Sequence, residues 1–293
     1  MQGIREFNRK IQSLKNTGKI TGSMKMISSV KLQRFTKLHT AAAPYFESIE
    51  TIRRRVCGAF ADAGHVLISG YEKPSRTLVL LVTSDRGLCG QYNANAVMEA
   101  MRLYEQLAAL GRICSFACAG GRGYAFLHKR GIPAQRVLEK TAAAAVSTFD
   151  GHAALADSLL ESYLGAAVHE IWAVYTRRIS PLLEKPVSEM LLPMSSAGLN
   201  PGRPTEKVDY LLEQRADTLV LSAARLYLRA AIHRILVESA LSEHAARMAA
   251  MESASENCDR MINRYMKVRN RARQASITTE LSEIVTGKEA LEQ

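Results

Sequence analysis

Aromatic residues make up only 6% of this 293-residue chain, and tryptophan occurs once, at Trp172. The interior must therefore be built from Ala, Leu, Ile, Val and Met. With frequent Arg, Lys and Glu beside them, such a composition favours long helices over a β-rich fold. Long apolar runs are missing too. The densest, "TLVLLV" at 77–82, is far too short to span a bilayer. The opening "MQGIREFNRK" carries charges where a signal peptide needs an apolar core, so a soluble, cytoplasmic chain is expected. Five scattered cysteines (Cys57, Cys89, Cys114, Cys118, Cys258) are an odd set that suits a reducing compartment. Cys114 and Cys118 lack zinc-ligand spacing and read as core thiols. Acids are scarce at the start: residues 1–60 hold Glu6, Glu47 and Glu50 against twelve Lys and Arg, within a net charge of +11. A cationic arm of this kind is either a solvated helix face or a surface for an acidic partner, whether nucleic acid, anionic membrane or acidic protein loop.

Breakers are absent where rods would need them absent. There is no Gly from 203 to 286 and no Pro after Pro204. From Ala216 the chain reads as one helix of about 70 residues, on the order of 100 Å long. Its apolar seam is Met251, Ala254, Cys258, Met261, Tyr265, Val268, Ala272 and Ala275. The N-terminal arm repeats that 3-4 spacing at Ile4, Phe7, Ile11 and Leu14, then at Phe35, Leu38, Ala42, Tyr45, Ile49, Ile52, Val56 and Ala59. Joining its two halves through 18, 21 and 24 requires a stammer, so the middle of the arm is expected to pack less tightly. Pro44 removes one helical hydrogen bond and is a candidate kink.

Between the arms the period changes. "RTLVLLVTS", "RICSFACAG" and "EIWAVYTRR" read as buried strands, alternating with helices over "NANAVMEAMRLYEQLAAL", from Tyr124, and over "GHAALADSLLESYLGAAV". The expected fold class is α/β plus all-α. A long antiparallel coiled coil of the N-terminal (1–60) and C-terminal (216–288) helices carries an inserted Rossmann-like α/β domain at 75–210.

Chemistry is harder to find. "CAGGRGYAF" at 118–126 starts like a dinucleotide fingerprint, but Phe126 stands where the third glycine belongs, which leaves close strand–helix packing as its role. Gly287-Lys288 lacks the rest of a P-loop. The seven histidines have no metal spacing, and Glu280 with Glu283 lacks a pocket for acid–base work. No cofactor, metal or catalytic residue is expected. The loop "SDRGLCGQYNAN" at 84–95 leaves a strand end, a default ligand or partner position in α/β folds. A nucleic-acid-binding coiled coil and a nucleotide-binding enzyme built on the central domain stay open as alternatives, though the basic arm lacks interleaved aromatics.

"SDRGLCGQYNAN", "ARQASITTELSEIV", "EHAARMAAMESASEN" and "IQSLKNTGKITGSMKMISSVKL" together resemble the signature segments of the γ subunits of F-type ATP synthases, in order and spacing over nearly the whole chain. Residues 60–75 and 130–200 are only loosely similar. The resemblance implies a non-catalytic rotor shaft that couples proton flow through a membrane ring to ATP synthesis. Its partners would be the α and β subunits of the catalytic hexamer, the ε subunit and the c-ring; no nucleic acid would bind. It would lie on the cytoplasmic face of a bacterial inner membrane, peripheral to it. Met24, Arg86, Cys89, Arg273, Gln274, Thr278 and Glu280 match positions that contact or couple to β. Asp209, Tyr210, Leu212 and Glu213 match the foot resting on the ring and ε. The polar ending "TGKEALEQ" departs from the apolar bearing the family suggests. No cysteine falls in 190–215, so the thiol switch of the chloroplast branch is not expected.

Overall fold

The computed structural model describes residues 2–61, 64–138, 150–180, 183–195 and 215–291. In chain order the elements are α1 (Gln2–Ala59), α2 (Val66–Ser69), β1 (Arg76–Val82), α3 (Tyr92–Ala109), β2 (Ile113–Ala119), α4 (Gly121–Lys129), β3 (Ala134–Leu138), α5 (Asp150–Leu164), β4 (Glu170–Ser180), β5 (Leu183–Leu192) and α6 (Ala216–Leu291). The strands form one sheet of order β3-β2-β1-β4-β5. Pairing is parallel from β3 through β4, while β5 returns antiparallel along β4. The expected strands and long helices are all present. Two strands went unread in the sequence, β3 ("AQRVL") and β5 ("LEKPVSEMLL"). Both lie at sheet edges, where polar residues and Pro186 dilute the apolar signal.

The chain divides into two compact units, one of Met1–Ser29 with Arg247–Gln293 and one of Val30–Ala246, so the division cuts both long helices. In the first unit the helices run antiparallel. The rings of Phe7 and Tyr265 are 6.3 Å apart, Cys258 lies against Gly18, and Lys25 Nζ is 2.7 Å from Glu252 Oε1. The second unit buries both faces of its sheet. Leu80, Val82, Ala117, Ala119, Ile171, Ala173 and Tyr175 pack toward α5, α1 and α6. Val79, Leu81, Cys114, Phe116, Cys118 and Val174 pack toward α3 and α4. The Val, Leu, Ile and Phe side chains among them each contribute about 1.5–3 kcal/mol when fully buried.

The seam of α1 differs from the one expected. Phe7, Leu14, Thr21, Ser28, Phe35, Ala42, Ile49 and Val56 form one covered row; Ile11, Gly18, Lys25, Leu32, His39, Phe46, Arg53 and Phe60 form the other. Leu38, Tyr45 and Ile52 are exposed instead. The heptad therefore runs through residues 18–35 without a stammer. Hydropathy missed it because the second row includes Gly18, Lys25, His39 and Arg53. A similar one-residue shift occurs further along α6, where Ile262, Arg269 and Ser276 take the places expected for Met261, Val268 and Ala275, while Ala254 and Ser255 are both half-buried. Polar side chains hold such positions by snorkelling or pairing. Arg53, 1% exposed, bonds Glu50, donates to the Met194 carbonyl and lies over the Tyr227 ring.

Candidate interaction site

The 84–91 loop is held from below and presented outward. Ser84 N–H donates to Asn93 Oδ1 (2.9 Å), Asn93 Nδ2 donates to Ser84 Oγ (2.8 Å), and Ser84 Oγ donates to the Arg86 carbonyl (2.6 Å). Asn93 Nδ2 also reaches Cys89 Sγ at 3.1 Å. Asp85 accepts from the Gly121 N–H at 3.1 Å and from Arg136 at 3.2 Å. That carboxylate caps α4, which starts at Gly121, three residues before the helix expected from Tyr124. Gly87 lies so close to Arg122 that a Cβ would come within 3.0 Å of its guanidinium. Leu88 sits at φ 63°, a left-handed backbone that side chains rarely adopt, and is 61% exposed. The surface therefore consists of Arg86, Leu88, Gly90 and Gln91, while Cys89 is buried at 2%. Cys89, expected at a partner contact, instead holds the loop from inside.

The "CAGGRGYAF" segment packs closely, as its sequence suggests. A Cβ at Gly120 would stand 2.1 Å from the Thr83 carbonyl oxygen, and one at Gly123 would stand 2.9 Å from Thr83 Oγ1. The Gly123 N–H donates to that same hydroxyl at 2.9 Å. Thr83, the residue after β1, thus fills the space directly against Gly120 and Gly123.

The other expected contact residues lie on the helix pair. Met24 is half-buried beside Lys25, and Arg273, Gln274, Thr278 and Glu280 are all exposed on α6. Thr278 Oγ1 donates to the Gln274 carbonyl and Ser276 Oγ to Glu280, both at 3.0 Å. The structure does not bring Met24 against these residues. Lys25 faces Glu252, and Gln274 is about 33 Å further along α6 at the helical rise per residue. Any coupling between them must pass along the helix or through a partner. Asp209, Tyr210, Leu212 and Glu213 lie outside the described residues. Large apolar side chains are exposed on both helices: Ile20, Met26, Ile27 and Val30 on α1, and Ile277, Leu281, Ile284 and Val285 on α6.

One cluster of charge was not legible in the sequence. Tyr175 and Arg177 of β4, Glu189 of β5, Arg234 and Glu238 of α6 and His39 of α1 form a single network. Arg234 lies 2.6 Å from Glu189 and 3.4 Å from Glu238, and donates to Tyr175 Oη at 3.0 Å. Arg177 reaches Glu189 at 3.0 Å and Glu238 at 3.4 Å, with His39 3.8 Å from Glu238. Burial opposes ionisation of Glu238, but His39, Arg234 and Arg177 outweigh it and hold the carboxyl below its usual range. Burial likewise opposes the charge on Arg234, while Tyr175, Glu189 and Glu238 keep it protonated. The adjoining cleft of about 800 Å³ is lined by Arg54, Arg177 and Arg234 and equally by Glu47, Glu50 and Glu189. Its charges cancel, which does not suit a phosphate. Among the described residues no three His, Cys, Asp or Glu side chains gather as a metal centre would need, and no helix is long and apolar enough to cross a membrane.

Residues 3–291 match the family model described as ATP synthase. An ATP synthase gamma chain from Nitrosospira multiformis is 33% identical over 99% of this chain and 100% of its own length. One from Dechloromonas aromatica is likewise 33% identical, with the same coverage. Among solved structures, a chain of the rotor of the Euglena gracilis mitochondrial ATP synthase superposes with a TM-score of 0.64 at 18% identity, covering 94% of this chain and 99% of that one. A chain of the Tetrahymena thermophila central stalk and c-ring gives 0.58 at 22% identity, covering 80% and 99%. These distant structures share its fold.

Proposed function

The chain belongs to the ATP synthase gamma chain family, and on that premise we propose that it is the central rotor shaft of an F-type ATP synthase. It couples proton flow through a membrane ring to ATP synthesis on the β subunits and carries no catalytic chemistry of its own. The helix pair stands within the α and β subunits, while the foot, including Asp209, Tyr210, Leu212 and Glu213, meets the c-ring and ε. The complex sits on the cytoplasmic face of a bacterial inner membrane, with this chain peripheral to it. The observations that best support the reading are two exposed apolar rows, Ile277, Leu281 and Ile284 near the end of α6, and Ile20, Met26, Ile27 and Val30 on α1. Soluble helices do not keep such rows bare, and a surrounding collar of subunits would cover them.

Around the α1 row Lys19, Lys31 and Arg34 are exposed. Long, flexible cations of this kind meet acidic loops with modest, screened attraction, which suits a surface that must be released at every step. Met24, Arg86, Arg273, Gln274, Thr278 and Glu280 are the positions assigned to β contact and coupling. Cys89 serves by shaping the loop that presents Arg86 and Leu88.

Co-purification with separately expressed α and β subunits tests the assignment. A complex of three α, three β and one copy of this chain, hydrolysing ATP only when the chain is present, is the expected result. A chain that elutes alone and shifts nucleic acid in low salt would place the rod in another machine.

A further inference from the structure

Residues 235–245 of α6, "ILVESALSEHA", are buried without a break for eleven positions. A helix resting on one neighbour keeps an exposed face, so this stretch is enclosed by its domain. It is nevertheless rich in polar groups: Glu238, Ser239, Ser242, Glu243 and His244 are all at most 9% exposed. Three of its contacts are directional and point different ways. Arg234 and Glu238 engage Tyr175, Arg177 and Glu189 of the β4–β5 hairpin. Ser239 meets Tyr92 at the start of α3, with Oγ 2.6 Å from the phenol oxygen and its carbonyl accepting at 3.2 Å. His244 stacks on Phe35 of α1, ring centroids 5.4 Å apart and 23° from parallel. At 3.6 residues per turn these three directions are spaced by roughly a third of a turn around the helix.

Apolar burial is non-directional, so a helix held by it alone can roll as its neighbours change rotamer. Hydrogen bonds weaken steeply once misaligned, and a stacked ring pair has a preferred geometry. Rotating α6 about its own axis breaks the contacts on all three sides at once. We propose that Arg234–His244 is a torsional lock: it fixes α6 against rotation relative to the sheet, so that torque applied to the domain turns the helix without slip. Tyr92, Tyr175, Glu189, Arg234 and Ser239 are thereby positioning residues for force transmission. The inference rests on the rotor assignment.

The test uses the assembled complex, immobilised through its α and β subunits, with a bead on a cysteine introduced by Glu105→Cys on the exposed side of α3. Every native cysteine of this chain is buried, so within it the label goes to the introduced one, and α and β are supplied in cysteine-free form. Angular spread of the bead during pauses reports torsional stiffness. Two paired replacements remove both partners of a contact at once: Glu189→Leu with Arg234→Met, after which Arg177 still reaches Tyr175 and Glu238, and Tyr92→Phe with Ser239→Ala. With both pairs replaced, stiffness is expected to fall about two- to threefold, since the Tyr92 contact is lost and the hairpin keeps only Arg177 on Glu238. Each pair alone gives a smaller fall, which serves if the fourfold variant does not assemble. Leu228→Ala trims a fully buried apolar side chain of the same helix and should lower Tm while stiffness holds. Unchanged stiffness in the paired variants, or a fall that tracks Tm in Leu228→Ala as well, overturns the lock. A parent complex whose bead never turns removes the rotor assignment beneath it.

Discussion

Single residues here act mainly through burial. All five cysteines are buried and unbridged, and burial pushes the Cys118 thiol up to about 12. Thiolates are the reactive form, so Ellman's reagent should find almost no thiol in the native chain and five after denaturation. Rapid native labelling would show that these sites open. Glu184 behaves in a related way. Burial raises its carboxyl to about 7, with Arg178 offsetting only part of the shift. Between the ordinary value of 4.5 and about 7, the folded chain holds a proton that the unfolded chain has released. Stability from this group is therefore present at low pH and lost as pH rises through that window. Glu184→Gln should raise Tm at pH 8 and leave it nearly unchanged near pH 4.5. Equal gains at both pH values would mean that packing, and not titration, is responsible.

The long helices show what a sequence does and does not reveal about an element. The absence of Gly from 203 to 286, the absence of Pro after Pro204 and the 3-4 spacing in both arms predicted two rods, and the period change between them predicted the sheet domain. Which of two adjacent residues faces the partner was not legible. Arg53 is polar yet almost wholly buried, because Glu50, Tyr227 and a backbone carbonyl satisfy it. Leu38 and Ile52 are apolar yet exposed. Hydropathy ranks residues by transfer to oil, whereas a helix seam accepts any side chain whose polar end finds a partner. The edge strands β3 and β5 were missed for a similar reason, since long-range pairing supplied what local propensity did not. Of the contact loop, position and glycines were legible; the inward turn of Cys89 and the capping by Asp85 were not. At this scale two substitutions are informative. Gly22 has open space around it, so Gly22→Ala should stabilise the chain by about 0.5–1 kcal/mol through helix propensity alone. Pro44 sits exposed inside α1, and Pro44→Ala should restore a hydrogen bond and add up to about 3 kcal/mol. Urea unfolding monitored by helical dichroism checks both. A loss of stability at Pro44→Ala would mean that the proline ring itself serves packing there.

At the scale of the whole molecule, the basic surface, the uncovered apolar rows and the enclosed stretch of α6 are what the proposed rotor role asks of a part that is surrounded and turned. On the proposed assignment the helix pair would offer modest contacts to the subunits around it, while the sheet domain grips its helix through directional ones. That division suits a shaft, which must slide against its bearing and must not slip in its hub. One measurement addresses the claim most directly. The complex of α, β and this chain is fixed to a surface through β, a bead is attached to the sheet domain, and ATP is supplied. The bead is expected to rotate in one direction, pausing at three equally spaced angles. A complex that hydrolyses ATP at full rate while the bead stays at one angle would contradict it.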